Sequence, residues 1–171
     1  LRHLVYVTVS TGLGGGVVCD GRLLHGRRGL AGHVGHMTIV RDGLPCVCGN
    51  RGCFEAYASG TAFGKRAGAP AATVFAAAAE GDARARELVD EEADYLGIGL
   101  ASLAYLYSPE IIVIGGGVSQ GFAAMEATML KRFRASTMAV FHGIRIVAAA
   151  LGGNSGLAGA AALAFQEREN P

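Results

Sequence analysis

The sequence predicts an α/β domain that carries an inserted metal-binding loop. Three observations lead there: short apolar runs separated by turn residues at the start, helical patterns followed by strand–helix alternation, and a glycine-rich stretch crowded with cysteine and histidine. With 171 residues, 51% hydrophobic and 17% charged, the chain is long and apolar enough to bury one core and lacks the composition of a disordered tail. A net charge of +1, with no run of Lys or Arg, removes the electrostatic footprint of nucleic-acid binding, so no direct contact with nucleic acid is expected.

Leu4 to Val9 is a β-branched and aromatic run of strand length. Val17 and Val18 resume a strand, and Asp20-Gly21 is a two-residue hairpin signal before Arg22 to Leu24, so an antiparallel three-stranded meander is expected. Beyond the metal loop, Ser59 or Thr61 can cap a helix running toward Ala67, which Gly68 and Pro70 end. Thr73 begins a short helix and Gly81-Asp82 interrupts it. Ala83 to about Tyr107 forms a long helix, with Leu88, Glu92, Tyr95, Leu96, Leu103 and Leu106 on one side. Ile111 to Ile114 is a buried strand, Gly115 to Gly117 a turn, and Ser119 the cap of a helix through Phe133. Ile144 to Ala149 is the last strand. Ile146 to Gln166 carries no charge, but Gly152-Gly153-Asn154-Ser155-Gly156 breaks it with turn and cap signals, so no membrane span is expected. No targeting segment is recognisable and the cysteines look reduced, which makes the cytoplasm the expected compartment. Leu1 opens inside strand-like sequence, so the chain reads as the C-terminal part of something longer.

The stretch from His33 to Glu55 holds His36, Cys46, Cys48 and Cys53. One imidazole and three thiolates make a closed tetrahedral zinc shell with no position open for a substrate water, so the expected role is structural. Ligand binding and loop ordering would then share one free energy. A disulfide and unrelated buried thiols are the alternatives; a bridge within Cys46-Val47-Cys48 is sterically poor. Ser10 to Gly16 lies between two strands, where bare backbone N–H groups can face an anion, although the run fits neither the P-loop nor the dinucleotide fingerprint and reads equally as a glycine-rich hairpin. Gly115-Gly116-Gly117 follows a strand and precedes a helix, a place for a flat ligand or for close helix packing.

Taken together, these pieces resemble the ROK family of sugar kinases and sugar-responsive repressors. The matching residues are Thr11-Gly12 and Gly14-Gly15 after a strand, Gly35-His36, Cys46-x-Cys48-Gly49-x-x-Gly52-Cys53-x-Glu55, Ala58-Ser59-Gly60 and the Gly115 to Gly117 turn, across Leu4 to near Gln166. The resemblance implies an RNase H-like lobe of the actin-like, sugar-kinase ATPase fold, with residues 1–171 as the C-terminal lobe and 33–55 as its zinc loop. It implies structural zinc on His36, Cys46, Cys48 and Cys53, and sugar contacts at His33, His36 and Glu55. A phosphate-binding turn is implied at Thr11, Gly12, Gly14, Gly15 and Gly16, and an adenosine-side turn near Gly116. The plain alternatives are a solvated loop histidine at His33 and a helix-start carboxylate at Glu55.

Most of the family has Glu where this chain has His33. The group with His there, in a context similar to GLAGHVGHM, is the bacterial N-acetylmannosamine kinases, whose closing stretch also looks like FHGIRIVAAALGGNSGLAGAA. Imidazole offers a donor and an acceptor where a carboxylate only accepts, so an N-acetylated hexosamine is expected in preference to glucose. The resemblance further implies ATP with Mg²⁺ as co-substrate, transfer to the sugar 6-hydroxyl and a homodimer. The family's catalytic Asp belongs to an Asn-Asp pair, and none of Asp20, Asp42, Asp82, Asp90 or Asp94 sits in that context. It is therefore expected upstream of Leu1, on an N-terminal lobe absent from this sequence, leaving this chain inactive alone. The competing expectation is the sugar-sensing domain of a ROK repressor.

Overall fold

A computed structural model describes residues 1–169 of the chain. Its centre is a five-stranded sheet in the order β3-β2-β1-β4-β5, made of β1 (Leu4–Val9), β2 (Leu13–Cys19), β3 (Arg22–Leu23), β4 (Ile111–Gly115) and β5 (Arg145–Ala148). The expected meander is present: β1 pairs antiparallel with β2, and β2 with β3 across Asp20-Gly21, both at positive φ as a tight hairpin turn requires. β1 also pairs parallel with β4, and β4 with β5, so the carboxyl ends of these three strands share one edge of the sheet. Val5, Val7 and Val9 alternate into the core, while β4, central and continuously apolar, is buried along nearly its whole length.

Among the described residues there are six α-helices: α1 (Phe54–Ala58), α2 (Gly60–Ala67), α3 (Ala71–Glu80), α4 (Ala83–Tyr107), α5 (Phe122–Ala135) and α6 (Ser155–Glu169). Asp82 caps α4 by accepting the Ala85 amide at 2.7 Å, and Ser59 caps α2 through the Ala62 amide at 3.1 Å. α4 and α5 cross closely at Gly97, where a Cβ would lie 2.8 Å from the Met129 carbonyl, and Leu96, Leu100, Leu103, Met125, Met129 and Phe133 fill the space around them. Among the described residues no helix is long and apolar enough to cross a membrane.

Three local expectations are corrected. α1 matches the helix start offered as the plain alternative at Glu55, although five residues carry too little periodicity to signal its extent. α3 begins at Ala71 behind Pro70, whose fixed φ of −58° launches the helix and leaves Thr73 inside it. Ser119 caps nothing; its hydroxyl donates back to the Gly116 carbonyl within a 3-10 turn, Gly117–Gly121, and α5 starts at Phe122. Leu106 does not belong to the apolar side of α4: it is exposed, while Leu103 and Ala104 are buried.

Candidate functional site

The metal loop is a folded unit. Thr38 bridges Cys53 and Pro45 bridges Arg51 as isolated antiparallel pairs, and the Cys46 amide donates to the Asn50 carbonyl at 2.8 Å. Gly52, at φ +78°, lets the two limbs cross: a Cβ there would lie 1.7 Å from the Val40 carbonyl oxygen. Backbone hydrogen bonds thus supply part of the loop's order.

His36, Cys46, Cys48 and Cys53 bring their ligand atoms within 4.8 Å of one another. Cys48 Sγ lies 3.6 Å from Cys53 Sγ, and Cys46 Sγ lies 3.7 Å from His36 Nδ1. A tetrahedral zinc with Zn–S of about 2.3 Å and Zn–N of about 2.0 Å has ligand–ligand edges of roughly 3.5–3.8 Å, so this donor set fits the ion. All four cysteines are free thiols, and Cys19, on β2, is not part of the cluster. Burial, then the neighbouring sulfurs of Cys48 and Cys46, pushes the Cys53 thiol up to about 12. The Asn50 backbone, then Cys46, lowers Cys48. Three crowded sulfurs resist ionising together, and a cation among them reverses that balance.

Three glycines press the His33–His36 segment flat onto β2. A Cβ on Gly15 would lie 2.6 Å from the Tyr6 carbonyl and 2.9 Å from Val34, one on Gly32 2.6 Å from the Gly15 carbonyl, and one on Gly35 2.0 Å from the Leu13 carbonyl. His33 and His36 consequently line a hollow of about 200 Å³ with Gly14 and Gly15, their rings 6.2 Å apart. His33 Nδ1 lies 2.9 Å from the Leu30 carbonyl, which can only accept, so Nδ1 donates and Nε2 is left as an acceptor in the neutral ring. His36 turns Nδ1 toward Cys46, which leaves its Nε2–H as a donor when a metal holds Nδ1. The pair thus divides the two roles that imidazole alone was expected to combine at His33.

Glu55, in the first turn of α1, accepts the Leu13 amide through Oε2 at 2.8 Å and lines an adjacent cavity of about 460 Å³ with Thr11, Gly12, Cys46 and Lys65. A Cβ on Gly35 would lie 3.5 Å from Glu55 Cβ, so the carboxylate stands beside the histidine segment. The glycine run departs from its expected geometry. Gly14, Gly15 and Gly16 lie within β2, opposite Thr8, Val7 and Tyr6, and do not form a free anion-binding turn; only Ser10 to Gly12 turns. Gly12 is small because the Glu55 carboxylate would sit 2.6 Å from its Cβ.

A third hollow, of about 440 Å³, opens at the carboxyl ends of β1, β4 and β5, between Ser10, Gly116, Gly117, Gly152, Gly153 and Ser155. Ligands of parallel α/β sheets bind outside strand carboxyl ends. Gly116 sits at φ +86° with Val9 backbone where a Cβ would go. Gly152, Gly153 and Ser155 were not singled out for binding, although Gly-Gly-x-Ser after β5 repeats the strand–glycine–helix pattern after β4.

The ROK family profile matches residues 1–167. An N-acetylmannosamine kinase from Escherichia coli O7:K1 is 41% identical over 98% of this chain and 58% of its own length. The ROK hexokinase of Thermus thermophilus superposes with a TM-score of 0.88 at 38% identity, over 99% of this chain and 59% of that one. A ROK glucokinase from Streptomyces griseus, in complex with glucose and AMPPNP, gives 0.87 at 35% identity, over 96% and 61%. A ROK transcriptional regulator gives 0.76 at 34% identity, over 86% of this chain and 42% of that one. The chain thus spans under two thirds of the length of the relatives it matches.

Proposed function

The chain belongs to the ROK family, and from that premise we propose that it is the C-terminal lobe of an ATP-dependent sugar kinase. The parent transfers the γ-phosphate to the 6-hydroxyl of an N-acetylhexosamine, N-acetylmannosamine first. The observation that supports this reading is the His33–His36 pair in one hollow and the Glu55 carboxylate in the next, both near the three-cysteine cluster, in a chain 41% identical to an N-acetylmannosamine kinase. His36, Cys46, Cys48 and Cys53 would hold a zinc ion whose contribution would be structural, joining the two limbs of the loop.

Sugar hydroxyls meet His33 Nε2, His36 Nε2–H and the Glu55 carboxylate, while the nucleotide phosphates meet bare backbone at Ser10, Thr11, Gly116 and Gly153. Phosphoryl transfer then depends on positioning and charge stabilisation. The general base comes from outside these residues, because no aspartate lines any of the three hollows. Asp20 pairs with Arg2, Asp42 with Arg41 and Asp94 with Arg132; Asp82 caps α4, and Asp90 accepts from Thr128. The likeness to a ROK regulator supports a second reading, a sugar-sensing lobe, in which the sugar contacts are kept and turnover is lost.

Kinase assays test this. The parent protein should phosphorylate N-acetylmannosamine in preference to glucose, and the 171-residue chain alone should show no turnover. His33→Glu in the parent should move the preference toward glucose by about tenfold, the scale of one altered polar contact. A parent that prefers glucose, or ignores His33→Glu, overturns the substrate assignment; one that binds sugar without turnover favours the regulator.

A further inference from the structure

α1 spans only Phe54–Ala58, too short to hold a direction from its own hydrogen bonds. It nonetheless carries Glu55 and follows directly on Cys53. Three contacts fix it. Phe54 is fully buried in a notch on α4, where a Cβ on Gly99 would lie 2.3 Å from the ring. The Tyr57 hydroxyl accepts the Leu44 amide at 2.7 Å, tying α1 to the limb of the metal loop that leads into Cys46. The Tyr57 carbonyl, near the helix end where carbonyls lack intrahelical donors, accepts from Arg66 Nη1.

Arg66 is held in turn. Its Nη2 donates to Glu92 Oε2 at 2.5 Å, its Nε lies 3.6 Å from Glu91, and its guanidinium lies over Phe63 and Tyr95 at 5.7 and 5.3 Å. The Glu92 side chain is 0% exposed, and its Oε1 and Arg66 Nε lack hydrogen-bond partners among the described residues. A buried ion pair with orphaned atoms is a weak stabiliser compared with apolar packing, so its contribution lies in geometry.

We infer that Arg66, anchored by Glu92, is a positioning residue for sugar recognition: it sets the angle of α1 and so places Glu55 and the loop that bears Cys46 and Cys48. The inference rests on the proposed sugar contacts. Neither Arg66, Tyr57 nor Glu92 lines the hollow at the strand ends; α2 touches the nucleotide side only at its first residues, where the Gly60 amide donates to the Ser10 carbonyl and the Thr61 hydroxyl to the Thr11 carbonyl, more than a turn from Arg66.

The test is steady-state KM for sugar and for ATP in the zinc-loaded parent protein, with Arg66→Met, Arg66→Lys and, as a control, Arg132→Met, which breaks the half-exposed pair to Asp94. Arg66→Met should raise the sugar KM about tenfold or more, since a misplacement of ~1 Å can be worth up to about a hundredfold, while the ATP KM stays within about twofold. Arg66→Lys should fall between, because an ammonium lacks the fork that reaches Tyr57 and Glu92 together. Arg132→Met should leave the sugar KM unchanged. An unchanged sugar KM in Arg66→Met overturns the inference, as does an equal rise in both KM values. If Arg66→Met does not fold, the same split read in Arg66→Lys and Glu92→Gln decides. An unsubstituted parent that binds no hexose or N-acetylhexosamine overturns the functional reading itself, so the two failures are told apart.

Discussion

The two sides of the site are built differently. On the metal side, side chains from one contiguous stretch, His33 to Glu55, converge because short-range backbone bonds fold the loop and β2 receives it across facing glycines. On the other side, glycine turns are set among short polar side chains such as Thr8 and Ser119: the turns at Ser10, Gly116 and Gly153, far apart in the sequence, meet only because β1, β4 and β5 run parallel. Recognition by side chains at fixed spacing is a local property of the chain, whereas recognition by bare backbone is a property of the sheet. The metal side should therefore fail locally when a ligand is removed, and the strand-end side should fail only when a turn is deformed.

The largest effect should come from the ligand shell. Protein purified without chelator should hold about one zinc per chain. Cys48→Ser should lower the melting temperature and weaken sugar binding by more than tenfold, since the free energy of metal binding is also that of ordering the loop. Nucleotide affinity should be preserved. Metal analysis that finds no zinc, or a loss of nucleotide affinity equal to that of sugar, breaks the distinction between the sides.

Gly116→Ala is the reciprocal experiment. A side chain at φ +86° costs about 1–2 kcal/mol before the Cβ, 2.3 Å from the Val9 carbonyl oxygen, forces the turn to move. ATP affinity should fall roughly tenfold, the equivalent of ~1.4 kcal/mol, with sugar affinity measured by calorimetry unchanged. Equal losses for both ligands would mean that the turn supports the whole lobe.

The effect least visible in ligand binding concerns the clamp behind the metal side. Burial outweighs the attraction of Arg66 and raises the Glu92 carboxyl from its ordinary 4.5 to about 7. Between these values the folded chain retains a proton that the unfolded chain has lost, so stability falls as pH rises from about 4.5 to 7 and levels off above. Glu92→Gln should flatten that slope, by an amount on the order of 3 kcal/mol at most, in urea unfolding at pH 5 and pH 7.5. A slope that survives the substitution would assign it to another group.

The amino-acid sequence by itself determined the α/β class, the meander, the long helix Ala83–Tyr107 and the four clustered side chains able to hold a metal. Each is written in local periodicity, turn chemistry or spacing, which neighbouring residues enforce on one another. Tertiary structure alone decided the rest. Gly14 to Gly16 read as a turn because glycine weakens a strand signal, yet they pair with β1, and Gly15 is small so that Gly32 and Val34 can lie on it. α1 gives no periodic signal because its stability comes from Phe54 and Tyr57 packing on residues distant in sequence. Glu92 reads as a carboxylate on the apolar side of its helix with no partner nearby in sequence, and only the folding of α2 against α4 brings Arg66 to it. The meeting of Ser10, Gly116 and Gly153 depends on strand order, a long-range choice made by which apolar faces bury one another, and no spacing along the chain records it.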